Sequence, residues 1–288
     1  MTDALAARKE TAVRWFEALR DEICASYEEL EREYAGPLQK RPAGTFERKA
    51  WKRTDLGVSD GGGGVASTLK GRLFEKTGVN VSAVSGVLPK EFAAAIPGAD
   101  KDPRFWAAGI SLVAHPWSPH VPAVHFNTRF IVTTKAWFGG GGDMTPALPV
   151  AEDTAAFHGA FKAACDKHDS AYHPRFKKWC DEYFFIPHRG EPRGVGGIFF
   201  DNLDSGNWDR DFAFVQDVGR AFHDAVPVIY RRRMNLPWSA AEREALLVKR
   251  GRYAEFNLIY DRGTLFGLKT GGNIEAILMS LPPEAKWP

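Results

Sequence analysis

The chain has 288 residues and a formal net charge of +2 at pH 7, with 44% hydrophobic and 26% charged residues. This balance is that of an ordinary globular protein, and a net charge so close to zero argues against a nucleic-acid partner. No apolar run of about 18 residues occurs and the N-terminus lacks an apolar signal core, so we expect neither a membrane span nor a secretory signal.

The first half of the chain predicts one long helix, two strands and two glycine-rich loops. An amphipathic helix is predicted over residues 3–34, because apolar residues recur there at three- and four-residue steps. Residues 57–64 end in four glycines and predict a loop. Residues 110–134 predict two strands separated by the Pro-rich corner 116–119. The glycine run 139–142 predicts a second loop, and either loop is a candidate lid over a binding cleft.

The second half predicts several helices and a hairpin. Helices are predicted over residues 152–168, from Pro174, over about 205–226, and after a capping box of Ser239 and Glu242. Alternating polar and apolar residues over 253–268 predict a β-hairpin that turns at Asp261-Arg262-Gly263. Since no linker or repeat interrupts this mixture, we expect a single α+β domain over residues 1–288.

Cysteine usage points to a reducing compartment. The three cysteines, Cys24, Cys165 and Cys180, form no CxxC pair and fall in helix-like segments. We therefore expect buried thiols and a cytoplasmic protein, not a disulfide framework.

The strand around residues 124–130 has a polar face that carries candidate site residues. Side chains alternate between the faces of a strand, so His125, Asn127 and Arg129 share one face. Phe126, Thr128 and Phe130 share the other. Arg129 offers a fork for a carboxylate, which predicts a binding wall. A strand with one solvated face is the alternative interpretation.

A shared histidine site is a further hypothesis. Ser111 and His115 share a face of the preceding strand, and His158 and His188 lie elsewhere in the chain. Four histidines can make a metal site, yet no HxH or HExxH spacing supports one. The loop with His188, Arg189 and Arg193 leads into three glycines, an arrangement that suits a flat ligand bearing carboxylates.

Two motifs near the C-terminus have both structural and functional interpretations. Asp261 is either ordinary turn chemistry or a functional carboxylate beside Arg262. In Gly271-Gly272-Asn273, Asn273 is predicted to cap a helix, and the glycine amides are predicted to form an anion seat.

Long motifs in separate segments resemble the oxygen-dependent coproporphyrinogen III oxidases. They are SLVAHP (111–116) with HFNTRF (125–130), KKWCD (177–181) with GGIFFD (196–201), RGRY (250–253) with LMSLP (278–282), and FGGGGD (138–143). The resemblance covers nearly the whole chain. The CxxxCxxC motif of the radical-SAM enzymes that catalyse the same conversion is absent from the sequence.

The resemblance implies a large, mostly antiparallel sheet flanked by helices on both sides. It implies a homodimer in which a C-terminal segment of about residues 253–288 contributes to the interface. The implied activity is the oxidative decarboxylation of two propionates of coproporphyrinogen III to vinyl groups, which yields protoporphyrinogen IX. Molecular oxygen is the co-substrate, we expect no organic cofactor, and a divalent cation is proposed to bind in some members of the family.

The resemblance also implies residue roles. His125 matches the proposed proton donor, and Asp261 with Arg262 matches a pair acting on a pyrrole and its propionate. Substrate-contacting positions are Ser111, Asn127, Thr128, Arg129, Gly271, Gly272 and Asn273. Histidines proposed to bind a divalent cation match His115, His125, His158 and His188. Relatives often carry Arg where this chain has Asn273.

Two other functions remain open from the sequence. One is a histidine-ligated metal oxygenase or hydrolase that acts on another large anion. The other is a tetrapyrrole carrier without catalysis. Oxygen uptake with coproporphyrinogen III in metal-free buffer distinguishes the three functions.

Overall fold

One large antiparallel sheet organises the chain in the computed structural model, which describes residues 3–53, 61–269 and 272–288. In chain order, its first six strands are β1 (Glu47–Lys52), β2 (Gly62–Leu69), β3 (Phe74–Val87), β4 (Arg104–Pro116), β5 (Ala123–Val132) and β6 (Ala136–Thr145). Two short strands, β7 (Phe185–Ile186) and β8 (Glu191–Pro192), then form a small separate hairpin. The last strand of the large sheet is β9 (Gly196–Leu203). The seven strands of the sheet pair in the order β1-β2-β3-β4-β5-β6-β9. The predicted α+β fold with a mostly antiparallel sheet is confirmed.

Eight helices lie in the described part of the chain. They are α1 (Asp3–Glu33), α2 (Lys90–Ala93), α3 (Ala151–Asp166), α4 (Tyr172–Tyr183), α5 (Trp208–Arg233), α6 (Ala240–Ile259), α7 (Arg262–Lys269) and α8 (Ile274–Leu278). None of these described helices combines the length and apolarity that crossing a bilayer requires.

The helices α1, α3 and α5 cover one face of the sheet and enclose the main core. Alternate residues of the central strands point into this core, so Leu112, Phe126 and Phe130 are fully buried. Phe126 stacks on Phe222 of α5, with ring centroids 4.8 Å apart. Stacked aromatic rings therefore seal this side of the sheet.

The opposite face is open at its centre, where the side chains are small or polar. Ser111 is exposed although it lies in the fourth of the seven strands. The strand register places Asn80 and Asn127 on either side of it. The C-terminal helices cover part of the rim of this face, where Asn80 donates from its amide to the backbone oxygen of Ala276 at 3.3 Å. Polar side chains at the centre of this face, Ser111 above all, therefore remain accessible to solvent.

The hairpin predicted over residues 253–268 is wrong. The capping box of Ser239 and Glu242 begins α6, which continues through this segment to Ile259, and α7 follows after a short break. Tyr253 and Phe256 are both buried, three residues apart, as one face of a helix requires. Polar and apolar residues in this segment fit a period of two as well as a helical period. The twenty residues of α6 are too many for an ordinary strand.

The two predicted glycine loops are also wrong where the structure describes them. Residues 139–142 lie inside β6, between β5 and β9, and glycines 62–64 begin β2. Residues 57–60 lie outside the described part. Gly142 lies so close to Phe161 that an added Cβ would be only 2.8 Å from the phenylalanine ring. In β6 the glycines admit close packing instead of a turn, so this run is no lid.

The other predicted elements are confirmed with shifted ends. The long first helix is α1, and the helices predicted from residues 152 and 174 are α3 and α4. The helix predicted over about 205–226 is α5, which continues through Pro227 to Arg233. The Pro-rich corner joins β4 to β5, and β4 begins at Arg104, earlier than predicted. Cys24, Cys165 and Cys180 are all buried free thiols, as expected.

Candidate active site

The polar face of β5 lies on the open side of the sheet, as its alternation predicted. Asn127 donates from Nδ2 to His125 Nε2 at 2.9 Å. Arg129 donates to Asn127 Oδ1 at 3.3 Å and pairs with Asp201 of β9 at 2.8 Å. Three side chains at alternate positions thus form one hydrogen-bonded row along the strand.

A buried ion pair fixes the other end of this row. Asp143 lies opposite His125 in the register of β5 and β6 and accepts from His125 Nδ1 at 2.8 Å. Arg193 donates to both carboxylate oxygens of Asp143 at 2.8 Å, and 2% of each side chain is exposed. Burial raises the pKa of Asp143, but Arg193 and His125 outweigh it, so the pKa lies below the usual value.

The Asp143 carboxylate sets the tautomer of His125. An ionised Asp143 accepts the proton-bearing Nδ1, which leaves Nε2 as the acceptor of the Asn127 amide. The carboxylate also stabilises the imidazolium form when Nε2 takes up a proton. His125 is therefore held with its proton on Nδ1, and Nε2 can take up a proton only when the Asn127 amide no longer donates to it.

Asp261 caps the helix that follows it. Its Oδ2 accepts from the backbone N–H of Thr264 at 2.8 Å and from the Thr264 hydroxyl at 2.7 Å, while Oδ1 accepts from the Tyr183 hydroxyl at 2.8 Å. Burial raises the pKa of Asp261, but these hydrogen bonds and nearby His125 outweigh it and bring the pKa below its usual value. Asp261 is thus an ionised acceptor near His125.

An aromatic cluster of Tyr183, Phe184, Phe199 and Phe256 joins the sheet to the C-terminal helices. Tyr183 stacks on Phe199 at 4.5 Å, and the ring of His125 meets Phe184 edge-on at 5.9 Å. The guanidinium groups of Arg129 and Arg262 lie over rings of this cluster: Arg129 over Phe199 at 5.9 Å and Arg262 over Tyr183 at 4.9 Å. The aromatic cluster therefore connects Arg129, His125 and Asp261 in one region.

The four candidate histidines do not converge. His115 is fully buried and bonds to the backbone oxygen of Ser280 at 3.0 Å, and burial, with Arg250 next, lowers its pKa to about 3. His158 bonds to the backbone oxygen of Val195, and His188 bonds to Tyr260 and Glu255. Within residues 3–53, 61–269 and 272–288, no three His, Cys, Asp or Glu side chains are grouped to hold a metal ion. As placed here, the four histidines do not fit a single metal site.

The residues predicted to contact the substrate do not all lie on the open face of the sheet. Ser111 is exposed on the open face, whereas the Thr128 side chain is fully buried on the opposite face. Gly271 lies outside the described residues. Gly272 donates its N–H to the backbone oxygen of Gly267, so this amide is not part of an anion seat. Asn273 caps α8 by accepting from the N–H of Ala276 at 2.9 Å, as predicted.

The two arginines of the predicted ligand loop have structural partners. Arg193 is enclosed with Asp143 and also donates to Asn257 at 2.7 Å. Arg189 forms two hydrogen bonds with Glu255 of α6, at 2.6 and 2.8 Å. The hypothesis that these two cations bind a ligand is therefore not supported.

Sequence reasoning missed Asp143, Tyr183 and Asp201 as site residues. The glycine run 139–142 predicts a loop just before Asp143, whereas a strand over these residues sets Asp143 opposite His125. Tyr183 reads as the apolar face of α4, and its hydroxyl partner is 78 residues away. No local pattern in the sequence indicates such a contact.

Comparisons with known proteins show the family of this chain. The family described as coproporphyrinogen III oxidase matches residues 11–288. Proteins named oxygen-dependent coproporphyrinogen-III oxidase from Rickettsia bellii (strain RML369-C) and Rickettsia felis are each 58% identical over 97% of this chain and 98% of their own length. The relative of that name from Rickettsia rickettsii (strain Sheila Smith) is 56% identical over the same shares.

An antiparallel sheet with one open polar face, an aspartate-held histidine and arginines over aromatic rings defines a candidate enzyme for a large anionic ring. The chain belongs to the coproporphyrinogen III oxidase family.

Proposed function

We propose that this chain catalyses the oxygen-dependent conversion of coproporphyrinogen III to protoporphyrinogen IX in heme biosynthesis. Its family and its relatives' names support the reaction. The observation that carries the proposal at the level of the site is the meeting of Arg129, His125 and Asp261 around the aromatic cluster. Such a surface offers cations for carboxylates and ring faces for an apolar macrocycle.

The reaction balances without an organic cofactor. Each reacting propionate loses carbon dioxide and the equivalent of a hydride, and becomes a vinyl group. Molecular oxygen takes up the two electrons and, with one further proton, gives hydrogen peroxide. The protein then has to bind the ring, polarise a pyrrole N–H and supply or remove protons.

Asp261 is proposed to accept a hydrogen bond from a pyrrole N–H. Its lowered pKa keeps it ionised at neutral pH, which favours the acceptor role over complete removal of the pyrrole proton. Arg262, next in sequence and exposed, is proposed to bind the propionate of the same pyrrole.

His125 is proposed to donate and accept protons at Nε2, supported by Asp143. Ser111, Asn127 and Arg129 are proposed to contact the substrate from the sheet. Residues 271–273 are proposed to contact it as well, although the Asn273 side chain already caps α8. A divalent cation remains part of the proposal, but the described residues form no set of ligands for it.

The family resemblance also supports a homodimer in the cytoplasm. Four apolar side chains between α6 and α8 are exposed, and the predicted interface segment contains them all: Leu258, Ile259, Leu268 and Ile274. An apolar surface of this kind on a C-terminal segment supports its burial against a second copy.

The experiment that tests the function measures oxygen uptake with coproporphyrinogen III in metal-free buffer. We expect oxygen consumption with release of carbon dioxide and formation of a vinyl product. Binding without oxygen consumption would instead favour a carrier. Activity that appears only when a divalent cation is restored would favour a metal-dependent enzyme.

A further inference from the structure

A β-bulge lies in β9 next to the candidate active site. Phe138 of β6 pairs with Leu203 and Gly140 with Phe200, so Asp201 and Asn202 both lie opposite Gly139. Asn202 adopts a φ of 54°, a left-handed conformation that non-glycine residues rarely take. Bulges beside active sites commonly redirect one side chain. Here the bulge directs the carboxylate of Asp201 onto the open face.

This carboxylate reaches across the neighbouring strand to Arg129. Arg129 Nη2 and Asp201 Oδ2 are 2.8 Å apart, and 29% and 21% of the two side chains are exposed. The pair passes over Gly139, where an added Cβ would lie 2.5 Å from Asp201 Oδ1 and 3.0 Å from Arg129 Nε. A residue without a side chain is therefore needed beneath the ion pair.

The arginines and aspartates of the site balance in charge. Arg129, Arg193 and Arg262 stand against Asp143, Asp201 and Asp261. The coproporphyrinogen III ring brings four further carboxylates. Arg262 is exposed and can bind one of them directly, and a cation that changes partners would bind another. The Arg193–Asp143 pair is closed to solvent, whereas the Arg129–Asp201 pair is partly exposed on the open face of the sheet.

We propose that Asp201 is a placeholder for a substrate carboxylate: it pairs with Arg129 when no ligand is bound and is displaced by a propionate. The inference rests on the proposed function, and it makes Asp201 the residue that sets the affinity of the site for substrate carboxylates. Asp201 keeps the guanidinium oriented over Phe199 and competes with every incoming carboxylate. Since ion pairs that are partly exposed to solvent are weak, the competition lowers carboxylate affinity by about two- to fivefold.

The test is a calorimetric titration with coproporphyrinogen III in the absence of oxygen, so that binding is measured without turnover. Asp201→Asn is expected to bind about two- to fivefold more tightly than the unmodified chain, with a steeper loss of affinity as salt is added. Asp204→Asn is the matched control, because it makes the same charge change at an exposed residue three positions along. We expect it to bind as the unmodified chain does.

A second comparison locates the effect at Arg129. In an Arg129→Ala background, Asp201→Asn is expected to change affinity no more than Asp204→Asn does. Unchanged or weaker binding by Asp201→Asn, or equal tightening without Arg129, overturns the placeholder. If Asp201→Asn unfolds, Asp201→Ser replaces it in both comparisons, because the serine hydroxyl can still accept a hydrogen bond from the N–H of Asn202. Failure of the unmodified chain to bind would count against the proposed function itself.

Discussion

At the scale of single residues, the site is built from side chains that serve the fold and the proposed chemistry together. Asp261 caps α7 through Oδ2, and it keeps Oδ1 for the Tyr183 hydroxyl and for one further donor. Asp143 likewise neutralises buried Arg193 while it orients His125. In Asp261 the two oxygens have separate partners, whereas in Asp143 the same oxygen, Oδ1, accepts from both His125 and Arg193.

Asp261→Ser separates these two roles. Serine retains helix capping, which is worth about 1 kcal/mol, but removes the negative charge. We expect turnover to fall by about a hundredfold or more, because loss of one hydrogen-bonding group that stabilises charge in a transition state costs on that order, while substrate affinity largely survives. Steady-state oxygen uptake and anaerobic titration measure the two quantities.

Ser239→Ala is the control for lost capping alone. It removes the cap of α6 far along the chain from Asp261, so stability should fall by about 1 kcal/mol with turnover per folded molecule unchanged. An Asp261→Ser enzyme with full turnover would reduce Asp261 to a helix cap.

At the scale of elements, Glu255 of α6 ties together three segments. It accepts from His188 and Arg189 in the turn between β7 and β8, and from Trp287 Nε1 at 2.8 Å. Two residues along α6, Asn257 holds Arg193. The small β7–β8 hairpin and the C-terminal end are thereby fastened to the helix that precedes Asp261.

This clamp predicts a pH dependence of stability. Hydrogen bonds from Arg189, and after them those from His188 and Trp287, lower the pKa of Glu255 from 4.5 to about 2. A depressed folded pKa stabilises the protein above the unfolded value, and the contribution is lost as pH falls through the folded value. Between pH 4.5 and about 2, the unmodified chain should therefore lose more stability than Glu255→Gln.

Thermal unfolding midpoints over this range check the prediction. Glu182→Gln is the control, because this glutamate is exposed and lies 3.8 Å from its lysine partner. Its curve should run parallel to that of the unmodified chain. Parallel curves for Glu255→Gln as well would show that the clamp contributes nothing to acid stability.

At the scale of the whole molecule, the two faces of the sheet have different tasks. One is sealed by aromatic packing under α1, α3 and α5, and the other carries the site beneath the C-terminal helices. The rim helices expose apolar residues, among them Ile259 and Ile274 at 52% and 59%. A second copy that covers this surface would also hold the helices that carry Asp261 and Asn273.

Ile259→Glu is therefore expected to disrupt the proposed dimer, since it places a charge in an apolar contact. Light scattering should give twice the chain mass of 32.0 kDa for the unmodified protein and a lower mass for the variant. Val228→Glu, on α5 and 48% exposed, is the control and should stay dimeric. A dimer that survives Ile259→Glu would place the interface elsewhere.

The sequence by itself determined the α+β class, the amphipathic helices, the polar face of β5 and the family, because these depend on local periodicity and long contiguous motifs. It did not determine that the segment around Tyr253 is helical in α6 or that the glycines of β6 lie in a strand. A period of two and a glycine run are each compatible with more than one local structure. Burial of Tyr253 and Phe256, and the pairing of β6 between two strands, settled both. Only the tertiary structure decided that Asp143, Tyr183 and Asp201 join the site while His158 and His188 stay apart. Side chains separated by tens of residues meet only after the sheet has paired and the helices have packed.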